Sequence, residues 1–168
     1  MPQPDHIVKI SLPDHDDLDE SIQKYFAKCE EKLGLTPYVL QAYTKNPAKF
    51  QTFVTFYNQL MLDEETCALT KLEREMIAVT VSSANRCYYC LVAHGQAVRQ
   101  LSDDPQLGEM MVMNYRVAEL EPRQRAMLDF AWKITVTPHD IGDADREHLR
   151  NVGFTDQDIF DICDVAAF

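Results

Sequence analysis

Thr70-Lys71-Leu72-Glu73-Arg74-Glu75-Met76-Ile77-Ala78-Val79-Thr80-Val81-Ser82-Ser83-Ala84-Asn85-Arg86-Cys87-Tyr88-Tyr89-Cys90-Leu91-Val92-Ala93-His94-Gly95 is the stretch that decides the fold. Thr70 followed three residues later by Glu73 forms a capping box, so a helix starts there and runs to about Ser83. Ser82-Ser83-Ala84-Asn85 breaks it, and a second helix carries Cys87 to about Gln100. A break that short makes the second helix return antiparallel to the first. Glu75 on one helix can then come back to His94 on the other.

The second helix concentrates chemistry on one side. At about 100° per residue, Cys87, Cys90 and His94 fall within roughly 60° of one another. Cys90 and His94 are one turn apart, where side chains can meet. Cys87 and Cys90 are three apart, with Cα atoms about 5 Å from each other, within the span a disulfide accepts. Cys87 opens the helix, where unpaired N–H groups and the dipole favour an anion. An ordinary thiol is only a few per cent thiolate at pH 7, and a drop of about two pKa units makes it mostly thiolate. A carboxylate at Glu75 would orient the His94 ring and stabilise it once protonated. Carboxylate, imidazole and thiol then form a relay suited to thiol redox chemistry.

Outward from this stretch the pattern is helical throughout. Asp16 or Asp17 is placed to cap a helix to Leu33, with Leu18, Ile22, Phe26 and Leu33 at helical spacing and Gly34 ending it. Pro37 to Tyr43 reads as a short helix, and Asn46-Pro47 starts another with the face Phe50, Phe53, Val54, Tyr57 and Leu60. Ser102-Asp103-Asp104-Pro105 starts one to about Met113, and Glu121-Pro122 one to about Ile134. Asp143 caps a helix to Val152, closed by Gly153, and Thr155 caps the last. That last helix carries Ile159, Ile162 and Val165 on one face up to Phe168, which calls for a cover from a partner subunit or from further chain. Residues 1–15, rich in Pro, Asp and His, read as an extended arm, and residues 16–168 as one all-α domain.

Composition narrows the function. The 168 residues are 46% hydrophobic and 26% charged, with a formal net charge of −11. That acidity argues against nucleic-acid phosphates and anionic membranes as partners. The start, Met1-Pro2-Gln3-Pro4-Asp5-His6, has neither a basic region nor an apolar run, so no signal peptide and a cytoplasmic setting are expected. Five cysteines at irregular spacing do not make a disulfide scaffold. Cys29, Cys67 and Cys163 read as small buried hydrophobes. His6, His15, His139 and His148 read as solvated, Arg74 as a surface ion-pairing residue, and the run Phe50, Phe53, Phe56, Tyr57 as core, subunit interface or pocket wall.

Glu75, then Cys87-x-x-Cys90 beginning twelve positions on, then His94 four past the second thiol, resembles the alkylhydroperoxidase D (AhpD-like) family of the carboxymuconolactone decarboxylase superfamily. The text from Leu72 to Val79 and from Cys87 to Gly95 resembles its peroxidase-related subgroup. The resemblance implies an all-α bundle, assembled as trimers or hexamers, that reduces organic hydroperoxides. It implies that Cys90 attacks the peroxide, that Cys87 resolves the sulfenic acid as a disulfide, and that Glu75 and His94 relay the proton. The implied reductant is a dithiol such as a lipoylated protein, with no metal or organic cofactor. Family members carry a histidine just before the second cysteine, where this chain has Tyr89.

Other readings of the same residues stay open. Cys87, Cys90 and His94 could ligate zinc with a fourth ligand from Glu75 or a distant residue, though no second CxxC or HxxxH accompanies them. The thiols could be core residues. Superfamily relatives decarboxylate a muconolactone without paired thiols. A non-enzymatic redox sensor or interaction module would need the same two cysteines.

Overall fold

The computed structural model describes residues 10–65 and 67–168, so most of the expected arm, His6 included, lies outside the described residues. The described residues hold nine α-helices and no strand. Two compact units make up the chain, Met1–Tyr57 and Asn58–Phe168.

In the first unit, α1 spans Glu20–Leu33, α2 Tyr38–Tyr43 and α3 Pro47–Tyr57. Asp16 and Asp17 do not cap α1 but lie in a separate 3-10 turn, His15–Asp17, and the extended backbone of Leu18 moves the helix start to Glu20. Gly34 ends α1 in the left-handed conformation at φ 72°, its N–H donating to Glu30 O at 2.9 Å. Ile22, Phe26, Leu40, Phe50 and Val54 form the core of this unit. Phe50 meets Tyr25 and Phe26 edge-on, and Tyr43 stacks on Phe53 at 4.3 Å between centroids. Of the aromatic run, Phe50 is core and Phe53 packs against it, whereas Phe56 is exposed.

The second unit opens with a π-helical turn, Asn58–Leu62, and then α4 (Lys71–Ala84), α5 (Tyr88–Ser102), α6 (Pro105–Asn114), α7 (Pro122–Val136), α8 (Asp143–Asn151) and α9 (Asp156–Ala167). α4 is its centre and packs against α5, α6, α7 and α9. Its residues are accordingly buried nearly all round: Glu73, Arg74, Glu75, Met76 and Ile77 in unbroken succession, then Val79, Thr80 and Ser82. The capping box is formed as the sequence demands. Glu73 N–H donates to Thr70 Oγ1 at 3.2 Å, and Thr70 N–H donates to Glu73 Oε2 at 2.9 Å. Thr155 and Asp158 repeat the arrangement at α9. Asp104 caps α6 through the N–H groups of Gln106 and Leu107.

Two side chains overturn expectation. Arg74 makes no surface ion pair. It is fully buried and donates to Leu60 O at 3.1 Å and Asp63 O at 2.7 Å, tying α4 to the π-turn. Ile159, Ile162 and Val165 need no outside cover, because α9 buries them against its own unit, chiefly α4 and α7. Cys67 is buried as expected, whereas Cys29 and Cys163 are only partly so; His15, His139 and His148 are exposed.

α5 and α6 lie close because Gly95 and Gly108 have no side chains. A Cβ on Gly95 would stand 2.4 Å from Val112 Cγ2, a stiff β-branched neighbour. Gly95→Ala is expected to destabilise the fold by about 1–3 kcal/mol through overpacking. Urea unfolding of the variant checks this; an unchanged midpoint would mean the helices can part freely.

Candidate active site

α4 hands over to α5 through a tight closure. Cys87 N–H donates to Ser82 O at 3.0 Å and Arg86 N–H to Ser83 O at 3.1 Å, the two bonds of a Schellman motif. Arg86 takes the left-handed position at φ 56°, a conformation usually left to glycine. The break therefore falls at Asn85-Arg86-Cys87, and Ser82 and Ser83, expected to break the helix, belong to it. Cys87 is the N-cap of α5, just outside its first turn.

This antiparallel hairpin brings Glu75 and His94 together. His94 Nδ1 lies 2.7 Å from Glu75 Oε2. Glu75 is 6% exposed, which excludes a solvated helix carboxylate. A carboxylate at that distance accepts from a protonated Nδ1 and leaves Nε2 as the basic nitrogen of the ring. The His94 side chain keeps 24% of its surface in solvent, so the ring spans interior and outside.

The two thiols are free and partly buried. Cys90 faces Cys87 and the side chain of Ser82. Burial first, and then the neighbouring Cys87 sulfur, push the Cys90 thiol up to about 11, while Ser82 acts in the opposite direction. Among the described residues no hydrogen bond joins His94 to either sulfur; the one His94 makes goes to Glu75. The structure thus unites the four expected residues as two adjoining pairs, Glu75 with His94 and Cys87 with Cys90. Ser82, which sequence reasoning treated only as a helix breaker, stands beside the second pair. Its signal was available: it lies seven residues after Glu75, two turns along the same face.

Among the described residues, no group of three or more His, Cys, Asp or Glu side chains is arranged to hold a metal ion. No helix among them is long and apolar enough to cross a membrane.

If Glu75 orients the base, Glu75→Gln is expected to lower any turnover that depends on His94 by about a hundredfold, the scale of a general base. Steady-state kinetics on the variant would read this. A change smaller than twofold would make the Glu75–His94 contact purely structural.

The family model described as "Carboxymuconolactone decarboxylase family" matches residues 47–131. The crystal structure of an uncharacterized peroxidase-related protein from Silicibacter sp. TM1040 superposes with a TM-score of 0.92 at 58% identity, covering 100% of this chain and 87% of the other. An uncharacterized peroxidase-related protein from Ralstonia eutropha JMP134, described as an alkylhydroperoxidase AhpD core, gives 0.87 at 39% identity over 94% of this chain and 82% of its own. No curated protein matches. With the helical hairpin, its acid–imidazole pair and its two thiols in place, the chain belongs to the carboxymuconolactone decarboxylase family, in its AhpD-like, peroxidase-related branch.

Proposed function

We propose that this protein is a thiol peroxidase that reduces organic hydroperoxides through Cys87 and Cys90, with Glu75 and His94 moving the proton. The observation that carries the reading is the 2.7 Å Glu75–His94 pair set one helical turn from the Cys90 thiol and two from the Cys87 thiol, both free. A core cysteine pair has no use for a buried carboxylate trained on an exposed imidazole edge.

The chemistry balances with these residues. His94 Nε2 accepts the Cys90 proton as the sulfur attacks one peroxide oxygen. The S–O bond forms, the O–O bond breaks, and the departing alkoxide takes a proton to leave as an alcohol. Sulfur supplies two electrons and becomes a sulfenic acid. The Cys87 thiol condenses with it, releasing water and closing the disulfide. An external dithiol, of the kind a lipoyl-protein carries, then returns two electrons and two protons. Burial favours the protonated Cys90 thiol, so a neighbouring base that takes its proton has a clear role in the attack.

A second assignment within the same pair has its own support. Cys87 sits at the N-cap of α5, where helix N–H groups favour negative charge, and Cys90 is the thiol held protonated. In that version Cys87 attacks and Cys90 resolves. The reading also includes a homo-oligomer, trimer or hexamer, working in the cytoplasm, with neither nucleic acid nor membrane as partner; the net charge of −11 supports that last part.

The test is consumption of cumene hydroperoxide by the purified protein with dihydrolipoamide as reductant. Sustained turnover over many equivalents is expected. A single equivalent consumed, without turnover, would instead mark a redox sensor, and consumption of a muconolactone would mark a decarboxylase.

A further inference from the structure

We propose that Arg86 is the anion-recognition residue of the thiol site: its guanidinium binds a carboxylate on the molecule that reacts with Cys87 and Cys90. The site then takes carboxylate-bearing hydroperoxides or dithiols in preference to neutral ones. The inference rests on reading Cys87 and Cys90 as the reacting thiols, and it adds the charge of what they react with.

The Arg86 backbone does not suit its residue. Four of the described residues lie at positive φ, and two of them are glycines, Gly34 at 72° and Gly153 at 95°. Asp103, at 53°, has one of the short polar side chains that tolerate the left-handed region through local hydrogen bonds. Arg86, at 56°, is the exception. Its Cβ crowds a carbonyl oxygen there, and its long stem offers the backbone nothing in return. Glycine would close α4 with less strain. The closure that strains Arg86 is the one that delivers Cys87, whose N–H it sets on Ser82 O at 3.0 Å. Strain kept beside a reacting group points to a use for the side chain.

The Arg86 charge is also uncommitted. Every other arginine is engaged: with backbone carbonyls, as Arg125 with Tyr115 O and Ala118 O; with a carboxylate, as Arg99 with Glu109 at 2.9 Å; or over an aromatic face, as Arg116 over Trp132 at 4.6 Å. Among the described residues, the Arg86 side chain makes no hydrogen bond, ion pair or ring contact, and it is exposed.

The sequence around it is cleared of acid. The chain carries 27 Asp and Glu, yet none falls from Met76 to Ser102, a stretch that holds most of α4, both thiols and all of α5. Its two guanidinium groups are Arg86 and Arg99, and Glu109 neutralises Arg99. Arg86 is the charge left over, its Cα about 3.8 Å from that of the partly exposed Cys87. A carboxylate repelled by a surface of net charge −11 meets an unpaired cation there. Screening over about 8 Å lets that near charge outweigh distant acids, and the planar fork of an arginine matches a carboxylate through two parallel hydrogen bonds.

The test follows each half-reaction as a single turnover in the full chain, Arg86→Gly and Arg86→Lys. One arm oxidises the reduced protein with cumene hydroperoxide or its para-carboxylate. The other reduces the disulfide form, prepared with diamide, with dihydrolipoamide or dihydrolipoate. Arg86→Gly should slow the carboxylate reagent about fivefold in at least one arm, the upper range for an exposed ion pair, and leave its neutral counterpart unchanged. It should also raise the urea midpoint, because the strain is gone. Arg86→Lys keeps the charge and the strain and should keep most of the preference. The arm that responds assigns the carboxylate to the hydroperoxide or to the dithiol. Equal effects of Arg86→Gly on charged and neutral reagents in both arms, or none in either, would overturn the proposal. Failure of both peroxides to oxidise the thiols would end the peroxidase reading, and the dithiol arm would still decide the role of Arg86.

Discussion

Cys90→Ser is expected to abolish hydroperoxide turnover, by at least about a thousandfold, because an alcohol neither ionises near neutral pH nor survives as a sulfenic acid equivalent. The fold should be untouched, since the change exchanges sulfur for oxygen at a partly buried site. Loss of turnover alone would not say which thiol attacks, because removing the resolving thiol stops the cycle as well. Trapping with dimedone separates the two. If Cys90 attacks, one equivalent of peroxide leaves a trapped sulfenic acid at Cys90 in Cys87→Ser and none at Cys87 in Cys90→Ser. The reverse pattern would hand the attack to Cys87. Normal turnover by Cys90→Ser would remove the thiol pair from the reaction.

Arg74→Ala is expected to lower stability by about 3–5 kcal/mol, the largest effect of any single replacement outside the site. The side chain is fully buried, and its Nη1 donates to two carbonyls, Leu60 O and Asp63 O. Its loss leaves a cavity beside α4 and strands both acceptors. The consequence reaches the chemistry, because Glu75 is the next residue on the same helix. Denaturant unfolding of the variant measures the loss; a change below about 1 kcal/mol would show that the π-turn holds itself.

Arg74 marks where sequence reading stopped short. An arginine between two glutamates on a capped helix has every local mark of a surface residue. Its partners are backbone carbonyls 11 and 14 residues earlier. Backbone acceptors carry no signature in a side-chain alphabet, so nothing in the text pointed to them. The apolar face of α9 failed for a related reason. Its hydrophobicity was plain, but what covers it depends on how α4 and α7 approach, which periodicity does not encode.

Where the controlling physics was local, the text was enough. Thr70 with Glu73, Thr155 with Asp158, and Gly34 after Leu33 each specify a helix end within four residues, and each is formed. The Glu75–His94 pair is non-local, yet it was legible because a hairpin with so short a turn fixes which residues face each other. The start of α1 was misplaced by a few residues because Asp16, Asp17 and Asp19 all have capping chemistry, and only the extended backbone at Leu18 chooses between them.

The claim underneath all of this is that the Cys87 and Cys90 sulfurs exchange electrons with each other on meeting a peroxide. Peptide mass mapping of the reduced protein after brief exposure to one equivalent of cumene hydroperoxide tests it directly. The account predicts that the Cys87–Arg99 peptide loses two hydrogens as an internal disulfide, while Cys29, Cys67 and Cys163 stay reduced. A peptide that keeps both thiols free, or bonds formed to any of the other three cysteines instead, would contradict it.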